Sequence, residues 1–267
     1  MSNIVVKYDP EVYVIARPQF DNLGMMNFLE ANGLPHKKFA DAYGRDADRL
    51  VEMATRMCYL SFEKGRDSEA FFENIIASGH GSTIEHANFT VIIAGVSRSF
   101  THEMVRHRAG FAYSQLSQRY VDESETSFVM PPLIQAQDEK TQGWWIMTVE
   151  SYLMDYQFLV NANEQYLEDN RPLMHKTDIR KKAREAARSV LPNATETFIT
   201  VTGNARAWRH FFSMRTSRFA DAEMRKVAFA CYEALKDETA FMFADFDVVE
   251  QDEGNGPPEL VTKYPKI

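Results

Sequence analysis

Cysteine, net positive charge and long apolar runs are all scarce in this sequence, and each scarcity narrows its possible functions. The 267 residues include two cysteines, Cys58 and Cys231, and neither has a second Cys or His at metal-ligand spacing. We therefore expect both to be small core residues in a reducing compartment. The formal net charge of −8 argues against a general nucleic-acid binder, because such binding depends on neutralising phosphates.

The sequence offers no candidate for a membrane-spanning segment. No apolar run approaches the roughly 18 residues that a spanning helix requires. The first ten residues, MSNIVVKYDP, lack the basic start and apolar core of a signal peptide. Hydrophobic residues make up 45% of the chain and charged residues 25%, a balance typical of globular proteins with a substantial core. We expect a cytoplasmic protein.

Apolar periodicity predicts a mixture of helices and strands, with no internal repeat and no convincing linker. Strands are predicted at residues 12–18, 89–96, 126–130 and 191–204. Helices are predicted at residues 46–62, 68–78, 97–109, 138–170 and 177–190, with a further amphipathic helix around 222–235. We predict one domain of α+β type over residues 1–267, in which residues 250–267 form a surface extension.

The densest group of polar side chains is RHRAGFAYSQLSQRY, residues 106–120. Three guanidiniums and an imidazole stand there among hydroxyl and amide groups. Arginine offers a rigid fork of donors that matches phosphate or carboxylate and stays charged when partly buried. Two interpretations remain open: a site for a polyanionic small molecule, or a solvated basic turn at the end of a helix, where the helix dipole favours positive charge.

Two further polar groups accompany this stretch. GHGSTIEH, residues 79–86, precedes a predicted strand, but the spacing of His80, Glu85 and His86 fits neither the helical pair of zinc enzymes nor a hairpin pair. We predict no metal there and interpret these side chains as donors and acceptors for a polar ligand. A second basic cluster follows the strand at residues 191–204: Arg206, Arg209, His210 and Arg215.

Together these segments resemble the flavin-dependent thymidylate synthases. RHRAGFAYSQLSQRY is similar to the family signature of Arg-His-Arg, seven residues, a serine and then Arg-Tyr. GHGSTIEH is similar to the glycine-histidine turn of the family. RSVLP, followed sixteen residues after its arginine by NARAWRHFFSMR, is similar to the second ligand-binding region. The three pieces occur in the family's order and span residues 79–225.

The resemblance implies a fold, an assembly and a reaction. The fold would be a single domain with a central, mostly antiparallel sheet flanked by long helices. The assembly would be a homotetramer with its active sites at subunit interfaces. The reaction would be the reductive methylation of dUMP to dTMP, with 5,10-methylenetetrahydrofolate as carbon donor, NADPH as reductant and FAD as the carrier of hydride and methylene.

The resemblance also assigns roles to residues. FAD would be held by His80, Ser82, Arg106, His107, Arg108, Ser114, Asn204, Arg206 and His210. The nucleotide would be held by Glu103, Arg106, Gln115, Leu116, Ser117, Gln118, Arg119, Arg188 and Arg215. The candidate catalytic residues are Arg215 and Ser117. Arg215 would stabilise charge that develops on the uracil oxygen, and because the flavin carries the dominant chemistry we expect no covalent protein nucleophile.

Three departures from the family pattern leave the substrate open. Eight residues rather than seven separate Arg108 from Ser117, Glu103 stands where the family often has a glutamine, and Phe219 stands where many members have a histidine. These differences allow the same chemistry on another pyrimidine nucleotide, such as UMP or a modified deoxyuridylate. A non-catalytic nucleotide or flavin binder is a further alternative, whereas the negative charge disfavours an RNA-binding module.

Overall fold

The computed structural model describes residues 4–37, 42–63, 65–251 and 256–267. Its α-helices are α1 (Asn22–Ala31), α2 (Asp46–Cys58), α3 (Ser68–Ala77), α4 (Arg98–Met104), α5 (Pro132–Gln135), α6 (Glu139–Asn170), α7 (Lys176–Ala187), α8 (Ala205–Arg215) and α9 (Ala222–Leu235). Its strands are β1 (Val6–Lys7), β2 (Glu11–Ala16), β3 (Asn88–Ser97), β4 (Phe111–Gln115), β5 (Phe128–Val129), β6 (Glu196–Asn204), β7 (Asp247–Val249) and β8 (Glu259–Val261). Short 3-10 turns occupy Gly81–His86, Arg188–Val190 and Lys236–Glu238.

The main sheet has the strand order β2-β3-β6-β4. Strands β4 and β6 run antiparallel, because Asn204 N donates to Gly110 O beside one end of the pair and Leu116 N donates to Phe198 O near the other. The predicted α+β class, with a mostly antiparallel sheet and long helices, is confirmed.

Strands β3 and β6 are antiparallel as well. Ala205 N donates to Ala87 O before the start of β3, and Arg98 N donates to Thr195 O after its end. Two smaller sheets complete the strand pairing of the described residues: β1 pairs with β5 in parallel and β7 pairs with β8 in antiparallel register.

Helix starts follow from local capping chemistry. Ser97 Oγ accepts from Phe100 N at 3.1 Å at the start of α4, and Asp138 Oδ1 accepts from Thr141 N at 2.8 Å at the start of α6. Such caps satisfy backbone donors that the first turn of a helix leaves free. The long helix predicted at residues 138–170 is therefore found almost unchanged as Glu139–Asn170.

The chain divides into two compact units. The first unit comprises Met1–Glu11, Ile93–Arg106 and Ser114–Ile199. Its core contains one cluster of Phe128, Val149 and Leu153 and another of Tyr156, Val160 and Ala187, which packs α6 against α7. The predicted single domain over residues 1–267 stays a prediction.

The second unit comprises Val12–Ile92, His107–Tyr113 and Thr200–Ile267. Its core is rich in aromatic rings around Trp208, which stands with its ring centroid 5.0 Å from that of Phe111 and 5.8 Å from that of Phe212. Trp208 and Phe212 are fully buried. This packing fixes α8, the helix that carries Arg206, His210 and Arg215.

Three expectations about local structure are wrong. Helix α4 ends at Met104 rather than near Ala109, because the chain tightens after the C-cap Val105: Arg106 N donates to Glu103 O, three residues back, instead of continuing the helical pattern. Cys58 is exposed, since it is the last residue of α2 and the following residues are exposed too, whereas Cys231 is buried as predicted.

The predicted surface extension at residues 250–267 also needs correction. Residues 252–255 lie outside the described residues. Further on, Glu259–Val261 forms β8 against β7, Leu260 is buried, and its N–H donates to Thr216 Oγ1 at 2.9 Å. This end of the chain is thus packed into its unit.

Among the described residues, no helix combines the length and apolar character that crossing a bilayer requires.

Gly95 in β3 gives a test of the first unit. It has φ +66°, and a Cβ there would lie 2.6 Å from Asp9 O. Gly95→Ala should therefore lower the free energy of unfolding by at least about 2 kcal/mol, through the left-handed backbone and the clash. The measurement is chemical denaturation followed by circular dichroism.

Gly143→Ala is the matched control. Gly143 lies in α6, and an added Cβ there would meet nothing within 4 Å among the described residues. This change should raise the free energy of unfolding by up to about 1 kcal/mol, as alanine is the better helix former. Equal effects of the two substitutions would contradict the described backbone at Gly95.

Candidate functional site

Two groups of polar and charged side chains, one in each unit, contain predicted site residues together with Arg98 and Glu123, which were not predicted. We call the first basic group the set in the first unit: Arg98, Gln118, Arg119, Glu123 and Arg188. We call the second basic group the set in the second unit: His107, Arg108, Arg206, His210 and Arg215. Each group is built from different elements of its own unit.

Arg98 and Arg188 in the first basic group are close enough to interact electrostatically. Burial lowers the pKa of Arg98 and the charge of Arg188 lowers it further, while the Glu123 carboxylate opposes both effects. The Nη1 atom of Arg98 is buried and has no hydrogen-bond partner among the described residues. Because a guanidinium keeps its proton, Arg98 carries a partly desolvated positive charge, and its Nη1 donor has no partner in the described chain.

Glu123 is the buried carboxylate of the first basic group. It is 3% exposed, and burial raises its pKa, against the opposing effects of a Thr126 hydrogen bond and the positive charge of Arg98. Its Oε1 atom has no hydrogen-bond partner within the described ranges. Its backbone N–H donates to Tyr156 Oη at 3.2 Å, so the backbone is anchored independently of the carboxylate.

The segment from Gln115 to Ser117 is ordered by its own unit. Gln115 Nε2 donates to Thr101 Oγ1 at 3.0 Å. Ser117 O accepts the N–H groups of Tyr120 and Val121, which closes a turn. The Ser117 hydroxyl is hydrogen-bonded to no histidine or carboxylate of the described chain, and thus lacks the neighbouring base that activates a serine nucleophile.

Gln118 and Arg119 complete this loop. Gln118 is buried, yet its Nε2 atom has no partner in the described chain. Arg119 forms an ion pair with Glu185 at 2.8 Å, but the two side chains are 41% and 47% exposed. An exposed pair of this kind is worth less than about 1 kcal/mol, so an incoming anion can replace Glu185 at small cost.

Sequence reasoning missed several neighbours of this loop. Arg184 donates to Tyr120 O at 2.8 Å and to Asp122 Oδ2 at 3.0 Å. Lys181 Nζ lies 4.8 Å from the centroid of the Tyr120 ring. Lys181 and Arg184 lie seven and four residues before Arg188, and that helical spacing was the available signal. Arg98 and Glu123 gave no such signal.

Arg215 and His107 form the central contact of the second basic group. Arg215, the last residue of α8, donates from Nε to His107 Nε2 at 2.8 Å. The His107 ring packs edge-on against Phe211, with centroids 5.2 Å apart. Tyr113 Oη donates to His107 O at 2.5 Å, which fixes the backbone at the same place.

The imidazole of His107 is neutral at pH 7. Burial, reinforced by the positive charge of Arg215 and by His210, lowers the pKa of His107 to about 4. The neutral ring accepts from Arg215 at Nε2, so its proton resides on Nδ1. Consequently this bond orients the Arg215 guanidinium without neutralising its charge.

Two glycines let backbone and side chains approach closely in the second unit. At Gly110, with φ +76°, a Cβ would lie 2.7 Å from Asn204 Nδ2. At Gly81 a Cβ would lie 2.7 Å from Arg206 Nε. Asn204 in turn caps α8, as its Oδ1 accepts from Ala207 N at 2.9 Å. Gly110 belongs to the segment of eight residues between Arg108 and Ser117, so this segment contains a position whose backbone conformation requires glycine.

Other predicted residues have less constrained positions. Arg106, Arg108, Ser114, His80, Ser82 and His210 are exposed, Leu116 and Glu103 are half-buried, and Phe219 is 85% exposed. Arg206 Nη1 donates to Glu85 Oε1 at 2.7 Å, so Glu85 serves as an arginine partner. Within the described ranges, no three side chains of His, Cys, Asp or Glu gather as a metal site requires.

Arg209 belongs to the second basic cluster of the sequence, but its contacts give it a structural role. It is fully buried, and its Nη atoms donate to Asp245 and to Met242 O. Of the other members, Arg206 and His210 are exposed and Arg215 is half-buried. Sequence alone could not separate Arg209 from Arg206 and Arg215, because the partner carboxylate lies 36 residues away.

Comparison with known proteins gives concordant matches. The Thy1 family model, described as thymidylate synthase complementing protein, matches residues 41–239. A flavin-dependent thymidylate synthase from Corynebacterium diphtheriae is 43% identical over 232 residues, which cover 85% of this chain and 89% of the relative. One from Mycobacterium leprae is 44% identical over 223 residues, covering 80% and 85%.

Among solved structures, the fold is similar to that of PolB, a UMP/dUMP methylase from Streptomyces cacaoi. The structure of PolB bound with 5-Br dUMP matches with a TM-score of 0.56 and 22% identity, covering 88% of this chain and 93% of the other. At this identity the match describes the fold alone.

The neutral state of His107 predicts a pH effect on stability. Between about pH 6.5 and pH 4 the unfolded chain binds a proton at this histidine, with an ordinary pKa of about 6.5, that the folded chain excludes. Above about pH 6.5 His107 contributes no pH dependence, and stability falls as the pH falls through this window. His107→Gln, which keeps an acceptor for Arg215, should flatten that fall in urea titrations at several pH values.

His102→Gln is the control for this titration. His102 is exposed on α4 and should leave the pH dependence of the free energy of unfolding unchanged. A His107→Gln variant that loses stability with acid as steeply as the parent would refute the neutral imidazole.

Proposed function

The chain belongs to the flavin-dependent thymidylate synthases, and from that premise we propose that it methylates dUMP at carbon 5 to give dTMP. The observation that carries this proposal is the positive charge of the first basic group, where Arg188 and the buried Glu123 carboxylate both act electrostatically on Arg98, in an otherwise acidic chain. A nucleotide phosphate supplies the negative charge that such a group lacks.

The second basic group fits a flavin dinucleotide. A pyrophosphate requires guanidinium donors, and Arg108 and Arg206 lie exposed in this unit. Gly81 and Gly110 permit the close approach described above. We therefore propose FAD as the cofactor, held by His80, Ser82, Arg106, His107, Arg108, Ser114, Asn204, Arg206 and His210. The chemistry that a bound flavin supplies is hydride and one-carbon transfer, with NADPH and 5,10-methylenetetrahydrofolate as co-substrates.

The residues of this chain position the nucleotide and manage its charge. Arg119 and Arg188 would bind the phosphate, with the amides of Gln115 and Gln118 and the Leu116–Ser117 backbone around the sugar. Glu103 and Arg106 would lie near the base. Arg215, oriented by the neutral His107, would stabilise the charge that develops on the uracil oxygen as carbon 5 becomes nucleophilic.

We further propose a cytoplasmic homotetramer built from one domain per chain, with FAD between subunits. The exposure of Arg106, Ser114 and His210 in a single chain supports this assembly, because ligand-binding side chains on an open surface need further walls to exclude water. Sedimentation velocity of the protein with FAD measures the assembly directly.

A second candidate substrate is UMP or a modified deoxyuridylate. The observation that favours testing it is the fold similarity to PolB, which acts on both UMP and dUMP. The experiment supplies FAD to the purified protein and follows NADPH oxidation with dUMP, with UMP and without nucleotide. Faster oxidation with dUMP supports the proposal, faster oxidation only with UMP moves the assignment to the second candidate, and no flavin binding contradicts both.

Arg215→Ala should lower turnover by a factor on the order of 100 or more, in line with the loss of other electrostatic stabilisers. The measurement is kcat for dTMP formation with saturating dUMP. Arg218→Ala, an exposed neighbour beyond the end of α8, is the control and should retain normal turnover. Near-normal kcat for Arg215→Ala would remove Arg215 from the catalytic residues.

Ser117→Ala should retain measurable activity, because the Ser117 hydroxyl has no neighbouring base in the described chain that would make it a nucleophile. The measurement compares kcat and the dissociation constant of dUMP in parent and variant. A folded variant that binds dUMP normally but is wholly inactive would restore the serine-nucleophile alternative.

A further inference from the structure

The long helix α6 has two apolar faces, and only one of them is buried. The buried face consists of Val149, Leu153, Tyr156 and Val160. These side chains pack against Phe128 of β5 and against Ala187 at the end of α7. A surface helix of a globular protein ordinarily turns polar residues towards solvent on the opposite side. Helix α6 departs from that pattern.

The opposite side of α6 carries an exposed apolar stripe. We call it the outer stripe and define it by four side chains with exposed fractions between 57% and 71%: Trp144, Met147, Met154 and Phe158. Together with the exposed Ser151 they follow one another at steps of three, four, three and four residues. Such steps keep side chains in one line along a helix. The outer stripe is therefore a single surface that runs roughly 20 Å along the helix axis.

The size of the outer stripe indicates an interface rather than scattered surface residues. Because an aromatic side chain has on the order of 200 Å² of surface, Trp144 and Phe158, at 62% and 71% exposure, leave about 250 Å² uncovered between them. Met147 and Met154 bring the patch to the few hundred Å² that marks an interaction site on a monomer. Two such patches supply a large part of the roughly 1,200 Å² that the smaller specific interfaces bury.

The order of side chains along the outer stripe is self-complementary for an antiparallel pair. Trp144 and Phe158 stand seven residues before and after Ser151, while Met147 stands four residues before it and Met154 three after it. When two copies cross antiparallel at Ser151, each Trp144 meets a Phe158 and each Met147 meets a Met154. A two-fold interface requires this kind of self-complementarity. The small Ser151 side chain lets the two helices approach closely where they cross.

The charges beside the outer stripe disfavour an anionic partner. Glu150 and Asp155 flank it, and Lys140 is the one basic residue in the sequence of α6. Anionic lipids and nucleic acids are bound through basic residues, which this face lacks. In the antiparallel pair Asp155 would lie beside Thr148 of the partner subunit. Glu150 would approach its counterpart across the axis, and this repulsion is a cost that salt screens.

We propose that the outer stripe is an interface with a second copy of this chain, in which two α6 helices pack antiparallel across a two-fold axis at Ser151. The proposal rests on the homo-oligomer proposed above and identifies one of its interfaces, but it does not depend on the reaction. A groove of about 500 Å³, lined in part by Thr126, Leu153 and Met154, lies beside the stripe. Met147 of the partner subunit, opposite Met154, would enter that groove.

Cysteine cross-linking tests the geometry of the pair. All variants carry Cys58→Ser, which removes an exposed native thiol. Ser151→Cys should then form a disulfide between two copies under mild oxidation, because residue 151 faces itself across the axis and Cα atoms within about 7 Å can be bridged. Non-reducing gel electrophoresis measures the yield.

Asn161→Cys is the matched control for cross-linking. Asn161 is exposed on the same helix, ten residues after Ser151. In the antiparallel pair its two copies lie roughly 30 Å apart, so this variant should stay reduced. A Ser151→Cys variant that stays reduced, or equal yields for the two variants, would overturn the proposed pairing.

Phe158→Asp measures what the outer stripe contributes to assembly. A carboxylate opposite Trp144 should halve the mass of the parent oligomer in sedimentation velocity, from tetramer to dimer, because it would be buried without a partner. Leu133→Asp is the matched control, since Leu133 in α5 is 74% exposed and lies outside the stripe; it should leave the mass unchanged. A folded Phe158→Asp variant of parent mass would contradict the interface.

The outcomes separate this inference from the proposed function. A parent protein without dUMP-dependent NADPH oxidation contradicts the reaction, whatever the cross-linking shows. An active, oligomeric parent whose Ser151→Cys variant stays reduced contradicts this inference alone. Should Phe158→Asp fail to fold, as judged by circular dichroism, the two cysteine variants decide, because both replace exposed polar side chains.

Discussion

A guanidinium cannot release its proton inside a protein, and the rest of this structure depends on how the fold handles that constraint. Arg56 shows the complete solution: it is 2% exposed and binds Glu52, Ser61 O and Arg66 O. Arg209 shows a similar one with Asp245. These two arginines are neutralised within the fold and serve stability, so they leave no charge for a ligand.

The arginines of the two basic groups are handled differently. Arg98 retains a buried donor with no partner in the described chain, and Arg215 donates to a neutral imidazole that orients it without reducing its charge. Positive charge that the fold holds in place in this way lowers the stability of the free protein. An anion that binds to it restores that stability. The comparison with Arg56 thus shows a physical difference between arginines neutralised within the fold and the arginines to which a binding role is proposed.

Much of the fold was accessible from the sequence because local rules and tertiary packing agree there. Asp138 caps the long helix predicted there, and the strand predicted at residues 191–204 is found as β6, in which buried Ile199 and Val201 alternate with half-buried Thr200 and Thr202. The basic motifs were accessible because RHR and NARAWRHFFSMR are contiguous stretches that stand out in the sequence.

What could not be predicted depends on contacts between distant parts of the chain. Glu123 and Arg98 stand 25 residues apart in sequence, and only the folded first unit brings their charges into range. Arg209 and Arg215 look alike in sequence until Asp245 and His107 are placed beside them. Periodicity also gave Cys58 a buried position that the end of α2 does not provide.

We propose that this chain binds a pyrimidine nucleotide and a flavin and transfers one carbon to the nucleotide. Transfer of labelled carbon from methylenetetrahydrofolate to the nucleotide tests it most directly, with dUMP and UMP offered together in the presence of FAD and NADPH. We expect the label in dTMP, at the methyl group on carbon 5. Label in neither nucleotide product, from folded protein with flavin bound, would contradict it.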